Sequence, residues 1–299
     1  MVDPLSEVIS LLQPRAVFSK IISGAGVWAV RYAAYDQPSF SAVLEGRCRL
    51  QVADQPPITL EAGDFVLMPS TPGFVMSGFE PTQAEFIDPK LAPAPPGEVR
   101  HGRQDGPPDV RMLGGSFVFG SPDSALLVSL LPLLLHVRAI DRLPVLVQLV
   151  RDESLAQRPG RELVLARLVE VLLVEALRAN TADDAPVGLL RGLADSKLAA
   201  AMRALHAEPA RAWTVEALAA KAALSRSAFF ERFSREVGVP PMEYLLAWRM
   251  SLAKDLLRRS DMAIATVAQQ VGYGSASTFS TAFSRHVGQP PGRFARMQA

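Results

Sequence analysis

Cysteine is almost absent. Cys48 stands alone among 299 residues. An internal disulfide and a cysteine-built zinc site are therefore both excluded, and the chain reads as one suited to a reducing compartment. Histidine is scarce too, with His101, His136, His206 and His286 making the full set. Uninterrupted apolar runs are missing. The most apolar stretch, 125–150, is broken by Pro132, His136, Arg138, Asp141, Arg142 and Pro144. It falls short of the roughly 18 unbroken residues that mark a membrane helix. The first fifteen residues lack a basic start followed by an apolar run, so no secretion signal is expected and the expected location is cytoplasmic.

A strong net charge is also missing, since the total is +1. That balance conceals an asymmetry. From Arg191 onward there are 15 basic against 8 acidic residues, a net of +7, whereas residues 1–190 hold 16 against 22, a net of −6. A basic C-terminal part beside an acidic N-terminal one points to a polyanion partner for the former alone.

What is present is an internal repeat. SRSAFFERFSREVGVPP (225–241) and SASTFSTAFSRHVGQPP (275–291) agree at ten of seventeen positions, far beyond chance. Phe229 and Phe233, like Phe279 and Phe283, lie four apart on one helical face and are expected to pack inward. The outward face carries Arg226, Ser227, Phe230 and Glu231 in the first copy, and Ala276, Ser277, Ser280 and Thr281 in the second. The repeat is therefore conservative inside and divergent outside. Each copy has a preamble. Thr214 caps VEALAAKAA, and Ser225 caps the helix that follows, which is a helix-turn-helix pattern. Ile264, Val267, Ala268 and Gly272 stand where Val215, Leu218, Ala219 and Ala223 stood, shifted by 49 rather than 50. The second turn thus carries one extra residue, and Gly272 is suited to a left-handed conformation that Ala223 accommodates less easily. The intervening helix, 241–259, starts on Pro241 and is about 30 Å long at about 1.5 Å per residue. Two helices so spaced match successive major grooves about 34 Å apart.

Upstream, the order is a short helix near 5–12, then strands in 27–34, 40–52, 58–69 and 73–79, and a further strand near 111–119. A loop rich in proline and glycine spans 89–108. After Ser121 the period turns helical: a helix capped by Ser121 or Asp123 through Leu135, one opened by Pro144, and a strong one at 161–179 whose apolar residues cover more than one face. That surplus suits either burial within one subunit or pairing of two copies. The stretch 180–193 is small, acidic and helix-breaking, and reads as a linker. The expected class is α+β, with 1–179 as a sensor and dimerisation domain and 194–299 as an all-α domain containing two helix-turn-helix units.

The C-terminal hundred residues resemble the arabinose-regulator (AraC/XylS) family of transcription factors. The resemblance rests on Ala263-Ile264 through VGYGSASTFSTAFSRHVGQPPGRFAR, with its glycine turn, Phe-x3-Phe pair, Gly-x-x-Pro stop and basic tail. Residues 1–178 resemble, more diffusely, a cupin-like sensor domain, through FSAVLEGRCRL, LEAGDFVLMP and GGSFVFG. The resemblance implies a β-barrel with appended helices and a DNA-binding regulator, an activator controlled by a small-molecule effector or partner, acting as a homodimer through 161–179 and, as an activator, meeting RNA polymerase. No membrane partner is expected. Base readout falls to the eight outward residues, with Glu231 suited to cytosine N4 and Phe230 to a thymine methyl, unless Phe230 belongs to the core and Glu231 is a solvated charge. Phosphate contacts fall to Ser225, Arg235, Arg249, Ser275, Arg285 and Arg293, with Arg258 and Arg259 as further candidates. Where cupin enzymes place metal-binding histidines, this chain has Ser39, Ser41 and Phe74. No metal, cofactor or enzymatic activity is therefore expected, and Glu45 and Asp64 read as structural carboxylates. Trp28, Tyr32, Phe40, Phe65 and Phe74 either line an effector pocket or fill the barrel. Cys48, with Arg47 and Arg49 alternating to the opposite strand face, reads as a buried inert thiol. Two rivals remain: a cupin enzyme or DNA-repair module fused to a helix-turn-helix, which lacks metal ligands and a cysteine cluster, and a protein-interaction adaptor, which leaves the basic helices without a purpose.

Overall fold

A computed structural model describes residues 3–35, 37–89, 98–119, 128, 131–138, 142–156, 158–179, 187–259 and 262–296. The chain forms two compact units. Its first element, α1 (Pro4–Leu12), precedes ten strands: β1 (Pro14–Ala25), β2 (Ala29–Tyr32), β3 (Ser39–Val52), β4 (Ile58–Glu61), β5 (Phe65–Met68), β6 (Phe74–Ser77), β7 (Glu85–Ile87), β8 (Val99–Gly102), β9 (Val110–Phe119) and β10 (Leu135–Val137). The helices α2 (Arg142–Leu155) and α3 (Arg161–Ala179) complete the first unit.

The strands curl into one sheet whose main path runs β7-β2-β6-β3-β9-β1-β8. The long strand β3 is its spine. It pairs with β5 through residues 39–42, with β4 through 47–50 and with β6 through 49–52. A register shift between Val43 and Glu45, where β3 lies against β9, lets one strand serve both halves of the curl. Alternation along β3 fills the interior with Cys48, Leu50 and Val52 and sends Arg47, Arg49 and Gln51 to solvent. Ile22, Val30, Val66, Met76 and Met112 close the same core.

Three features differ from the sequence reading. Strand β1 was not anticipated, and β8 lies inside the stretch read as patternless loop. Both find their hydrogen bonds in long-range partners, β9 for β1 and β1 for β8, which local periodicity does not reveal. Leu135, expected in a helix, lies in strand β10 and pairs with Leu67; the rest of that expected helix falls largely outside the described residues.

The second unit takes α1 together with α4 (Leu189–Ala194), α5 (Ser196–Ala207), α6 (Val215–Lys221), α7 (Arg226–Val237), α8 (Pro241–Arg259), α9 (Ile264–Gln270), α10 (Ala276–Val287) and α11 (Pro291–Arg296). This moves both expected boundaries. The supposed linker 180–193 overlaps α4, whose Leu189 and Leu190 are buried. The Gly188 amide donates to the Glu236 carbonyl, and Arg191 pairs with the Glu236 carboxylate at 2.5 Å. Likewise α1 belongs with these helices rather than with the strands. Leu5, Val8, Ile9 and Leu12 form its buried stripe at helical spacing. Its Glu7 accepts from the His206 Nδ1–H at 2.8 Å, and the Tyr244 hydroxyl donates to His206 Nε2 at 2.7 Å. The His206 ring also lies against Trp248, with centroids 4.1 Å apart.

The helix α8 is shared by two cores. Tyr244 meets Phe233 edge-on at its start, while Met250, Ala253 and Leu257 join Val267, Phe279, Phe283 and Phe294 further along. The two halves are braced by Arg249, which donates to the carbonyls of Pro209 at 2.8 Å and Arg211 at 2.7 Å. The Gly272 turn sits on this brace. A Cβ there would lie 2.7 Å from the Ala210 carbonyl oxygen and 2.7 Å from Arg249 Nη2, and its φ is +83°.

Two outcomes follow from this packing. Gly272→Ala is expected to lower stability in chemical denaturation by at least the roughly 1–2 kcal/mol of left-handed strain. Ala223→Gly, at the matching turn with φ 51°, should change stability by less than about 1 kcal/mol, because strain relief and greater unfolded-state freedom oppose each other. Burial pushes His206 below its ordinary value of 6.5, against the opposite pull of Glu7 and Asp3. The unfolded chain therefore takes up this proton at a higher pH than the folded one, and stability falls as pH drops below about 6.5. Melting between pH 7 and 5.5 should show that loss in the wild type, and His206→Gln should flatten the slope while lowering the midpoint at pH 7.

Candidate nucleic-acid interface

The helices α7 and α10 are each started by a serine. The Ser225 hydroxyl accepts from the Ala228 amide at 3.3 Å, and that of Ser275 from the Thr278 amide at 3.1 Å. Each helix is stopped by a glycine in the left-handed conformation, Gly238 at φ 84° and Gly288 at φ 81°. Between cap and stop, Phe229, Phe233, Phe279 and Phe283 are buried. That burial, at about 1.5–3 kcal/mol per side chain, fixes the rotation of each helix and so decides what it presents to solvent. The turn of the second unit is one residue longer, because α6 to α7 spans 215 to 226 and α9 to α10 spans 264 to 276.

The outward faces hold the expected residues. Arg226, Ser227, Phe230 and Glu231 are all exposed on α7, and Phe230 is 44 % exposed despite being aromatic. On α10, Ser277 and Thr281 are exposed while Ala276 and Ser280 are half-buried. Three of these groups are already engaged, Ser227 with the Ser225 hydroxyl at 3.4 Å. Arg226 pairs with Glu216 of α6 at 2.6 Å, and the Thr281 hydroxyl donates to the Ser277 carbonyl at 3.1 Å. The last is an ordinary bond to the carbonyl four residues back, whereas the pair of Arg226 with Glu216 is not visible in sequence spacing. Glu216 sits ten residues before Arg226, and only the turn brings them together.

The basic residues divide. Arg235, Arg285 and Arg293 are exposed. Arg249 is a correction: it is half-buried, its guanidinium is spent on two carbonyls, and burial lowers its pKa. It braces the fold rather than facing a phosphate. Ser225 and Ser275 serve as caps, with hydroxyls at the helix entrances.

In the barrel unit the five candidate aromatics do not meet. Trp28, Tyr32 and Phe74 lie with the interior cluster, Tyr32 stacked on Phe74 at 4.8 Å. Phe40 and Phe65 stack on each other at 6.2 Å, on the opposite face of the sheet. The register shows why: Ser39 and Ser41 pair with the interior residues Met68 and Val66, so the alternate residue Phe40 must point the other way. The interior group has a member that the sequence reading passed over. His101 on β8 stacks on Trp28 at 6.0 Å, and its buried Nε2 has no hydrogen-bond partner among the described residues. Burial, reinforced by Lys20 and opposed by Glu85, lowers its pKa.

Ser39 is hydrogen-bonded to Thr71 at 2.7 Å. Among the described residues no three His, Cys, Asp or Glu side chains gather to hold a metal ion. Asp64 accepts from the Glu61 amide and pairs with His136 at 2.9 Å and Arg138 at 3.5 Å, a structural role at the β4–β5 turn. Cys48 is fully buried, and burial, with Asp64 adding, pushes its thiol up to about 12. Among the described residues no helix is long and apolar enough to cross a membrane.

Comparison with known proteins agrees with this geometry. The cupin family model matches residues 3–182, and a helix-turn-helix domain model matches residues 218–297. A Streptomyces lividans protein described as an AraC-like transcription regulator is 39 % identical over 299 residues, covering 98 % of this chain and 97 % of its own. The HTH-type transcriptional regulator AlkR of Acinetobacter baylyi is 29 % identical over 306 residues, covering 97 % of each chain. The RCS-specific HTH-type transcriptional activator RclR of Escherichia coli K12 is 23 % identical over 295 residues, covering 98 % of this chain and 96 % of that one. With a curled cupin sheet in one unit and capped, paired helix-turn-helix units in the other, the chain belongs to the AraC family of DNA-binding transcriptional regulators, and not to the cupin enzymes.

Proposed function

We propose that α7 and α10 read two different base sequences in successive major grooves, and that the protein activates transcription under the control of its barrel unit. The observation that carries the base-reading part is the contrast between buried identity and exposed divergence. Phe229/Phe279 and Phe233/Phe283 repeat, while Phe230 and Glu231 face solvent where the second unit has Ser280 and Thr281. On α7, Arg226, Ser227, Phe230 and Glu231 are the readers; on α10, Ala276, Ser277, Ser280 and Thr281. Engagement of Arg226 by guanine would compete with its exposed pair to Glu216, an exchange that costs little at the surface. Arg235, Arg285 and Arg293, with the entrance serines Ser225 and Ser275, contact phosphates. Because the two faces differ, the bound protein has a direction on its site. Activation is the sense of regulation printed in the name of the E. coli relative, and it makes RNA polymerase a partner.

Control through the barrel is supported by its interior. Trp28, Tyr32, Phe74 and the unsatisfied His101 place apolar surface beside a buried polar atom, the mixture that small-molecule sites use. Homodimerisation is supported by α3. Leu165, Val169, Leu172 and Leu173 face its own core, yet Leu163, Val164 and Val171 remain exposed, as do Val145 and Leu149 of the neighbouring α2. An apolar patch of this kind on a soluble surface marks an association site.

Two experiments decide these readings. A preferred duplex selected by the full-length protein from a random pool should lose its advantage over unrelated DNA when Ser280 and Thr281 are both changed to alanine, with unrelated-duplex affinity nearly unchanged. Arg285→Ala should instead weaken both duplexes alike and reduce the salt slope by about 1. Retained sequence preference in the double variant would remove α10 from the readout. In sedimentation, the wild type should run as a dimer, and Val164→Glu with Val171→Glu as a monomer. A monomeric wild type at micromolar concentration rules out pairing through α3.

A further inference from the structure

The two helix-turn-helix units repeat their buried halves, but three positions at their entrances differ together. In the first unit Thr214 caps α6, Glu216 is the second residue of that helix, and Arg226 opens α7. The matching positions of the second unit are Ala263, Ala265 and Ala276, and Ala263 makes no side-chain cap. In the first unit the three side chains are linked across the turn. Glu216 Oε1 lies 2.6 Å from Arg226 Nε. The Glu216 carboxyl is held below its ordinary value of 4.5 by its own backbone amide first, then by the Thr214 hydroxyl and by Arg226, with desolvation opposing. It is therefore a charged group tethered to its own helix while it holds the next one. Arg226 has no other ion-pair partner among the described residues.

An exposed ion pair adds little to stability, so stability does not account for a linked set that the second unit replaces entirely with alanine. What the pair does change is the freedom of the arginine. An unheld arginine at a helix entrance samples many rotamers and settles on a phosphate as readily as on a base. Held on its Nε side, the guanidinium gives up that freedom before DNA arrives. It still offers its terminal Nη1 and Nη2 edge, the fork that fits O6 and N7 of guanine. A base coming to the Nε edge has to displace Glu216, whereas one coming to the terminal edge leaves it in place.

We propose that Glu216 is a positioning residue for base readout: it holds Arg226 so that the terminal edge of the guanidinium takes guanine, and its charge keeps that arginine off the phosphates. The inference rests on α7 being a base reader. It gives the first unit a requirement for guanine at one fixed base pair, a requirement that the second unit, with Ala265 and Ala276, does not share.

The test uses the full-length protein and a preferred duplex selected from a random pool, with Kd measured by fluorescence anisotropy at one fixed salt concentration. Each base pair of that duplex is changed in turn, and the pair whose preference Arg226→Ala removes is the Arg226 position. The wild type should prefer guanine there by about tenfold or more. Glu216→Ala and Glu216→Gln should each reduce that preference by about threefold or more. Both should bind unrelated duplex more tightly than the wild type, since a negative charge is gone, and leave the preferences read by α10 unchanged. Glu216→Gln keeps the side-chain length, so the outcome does not depend on the alanine variant alone. Adding Glu216→Ala to Arg226→Ala should alter no base preference further. Full guanine preference in both Glu216 variants, with Arg226→Ala still removing it, overturns the positioning role alone. So does an equal loss at every base pair, or a preferred base other than guanine at the Arg226 position. Arg226→Ala with every preference intact overturns base reading by Arg226 and the positioning role with it.

Discussion

The DNA-binding unit depends on one helix having two apolar faces at different heights. Along α8, Tyr244 and Trp248 belong to the core of the first helix-turn-helix, and Met250, Ala253 and Leu257 to that of the second. Each of α7 and α10 is positioned by its phenylalanine pair against its own half of this shared rod. A kink in α8 would rotate α7 relative to α10. Arg249 stands at the point where the two cores change over, and it ties the rod to the loop at Pro209 and Arg211, beneath the Gly272 turn. The glycine is required there by close approach as much as by its backbone angle.

Much of this unit was legible in the sequence because its determinants are local. Caps at Thr214 and Ser225, stops at Gly238 and Gly288, and the four-residue spacing of phenylalanines all act within a turn or two of helix. The barrel was legible where strands alternate, as in β3. It was not legible where a strand is defined by its partner: β8 has four residues and no alternation of its own, and it exists because β1 offers it a free edge. The aromatic set was misgrouped for a related reason. Residue type identified the five rings, but only the pairing of Ser41 with Val66 fixes which side of the sheet Phe40 occupies.

The candidate site shows the same division. The exposed positions on α7 and α10 follow from the helical period. Arg249 does not, since an arginine on a helix looks alike whether it meets a phosphate or two carbonyls. The difference is set by the loop 209–211, which lies forty residues earlier. His206 is the extreme case. Its partners Glu7 and Tyr244 are respectively 199 and 38 residues away, and no spacing rule connects them.

That long link bears on how the chain is made. As the chain leaves the ribosome, α1 emerges before any strand, yet the helices that cover Leu5, Val8 and Ile9 follow the entire barrel. The earliest apolar stripe must wait, uncovered, while the strands assemble, which is the interval in which a nascent chain is most open to misassociation or to a chaperone. The same arrangement makes the DNA-binding unit discontinuous along the gene. A fragment cut at residue 187 would contain both helix-turn-helix units, yet it would leave His206 without Glu7 and strip the α1 cover from the body that holds them.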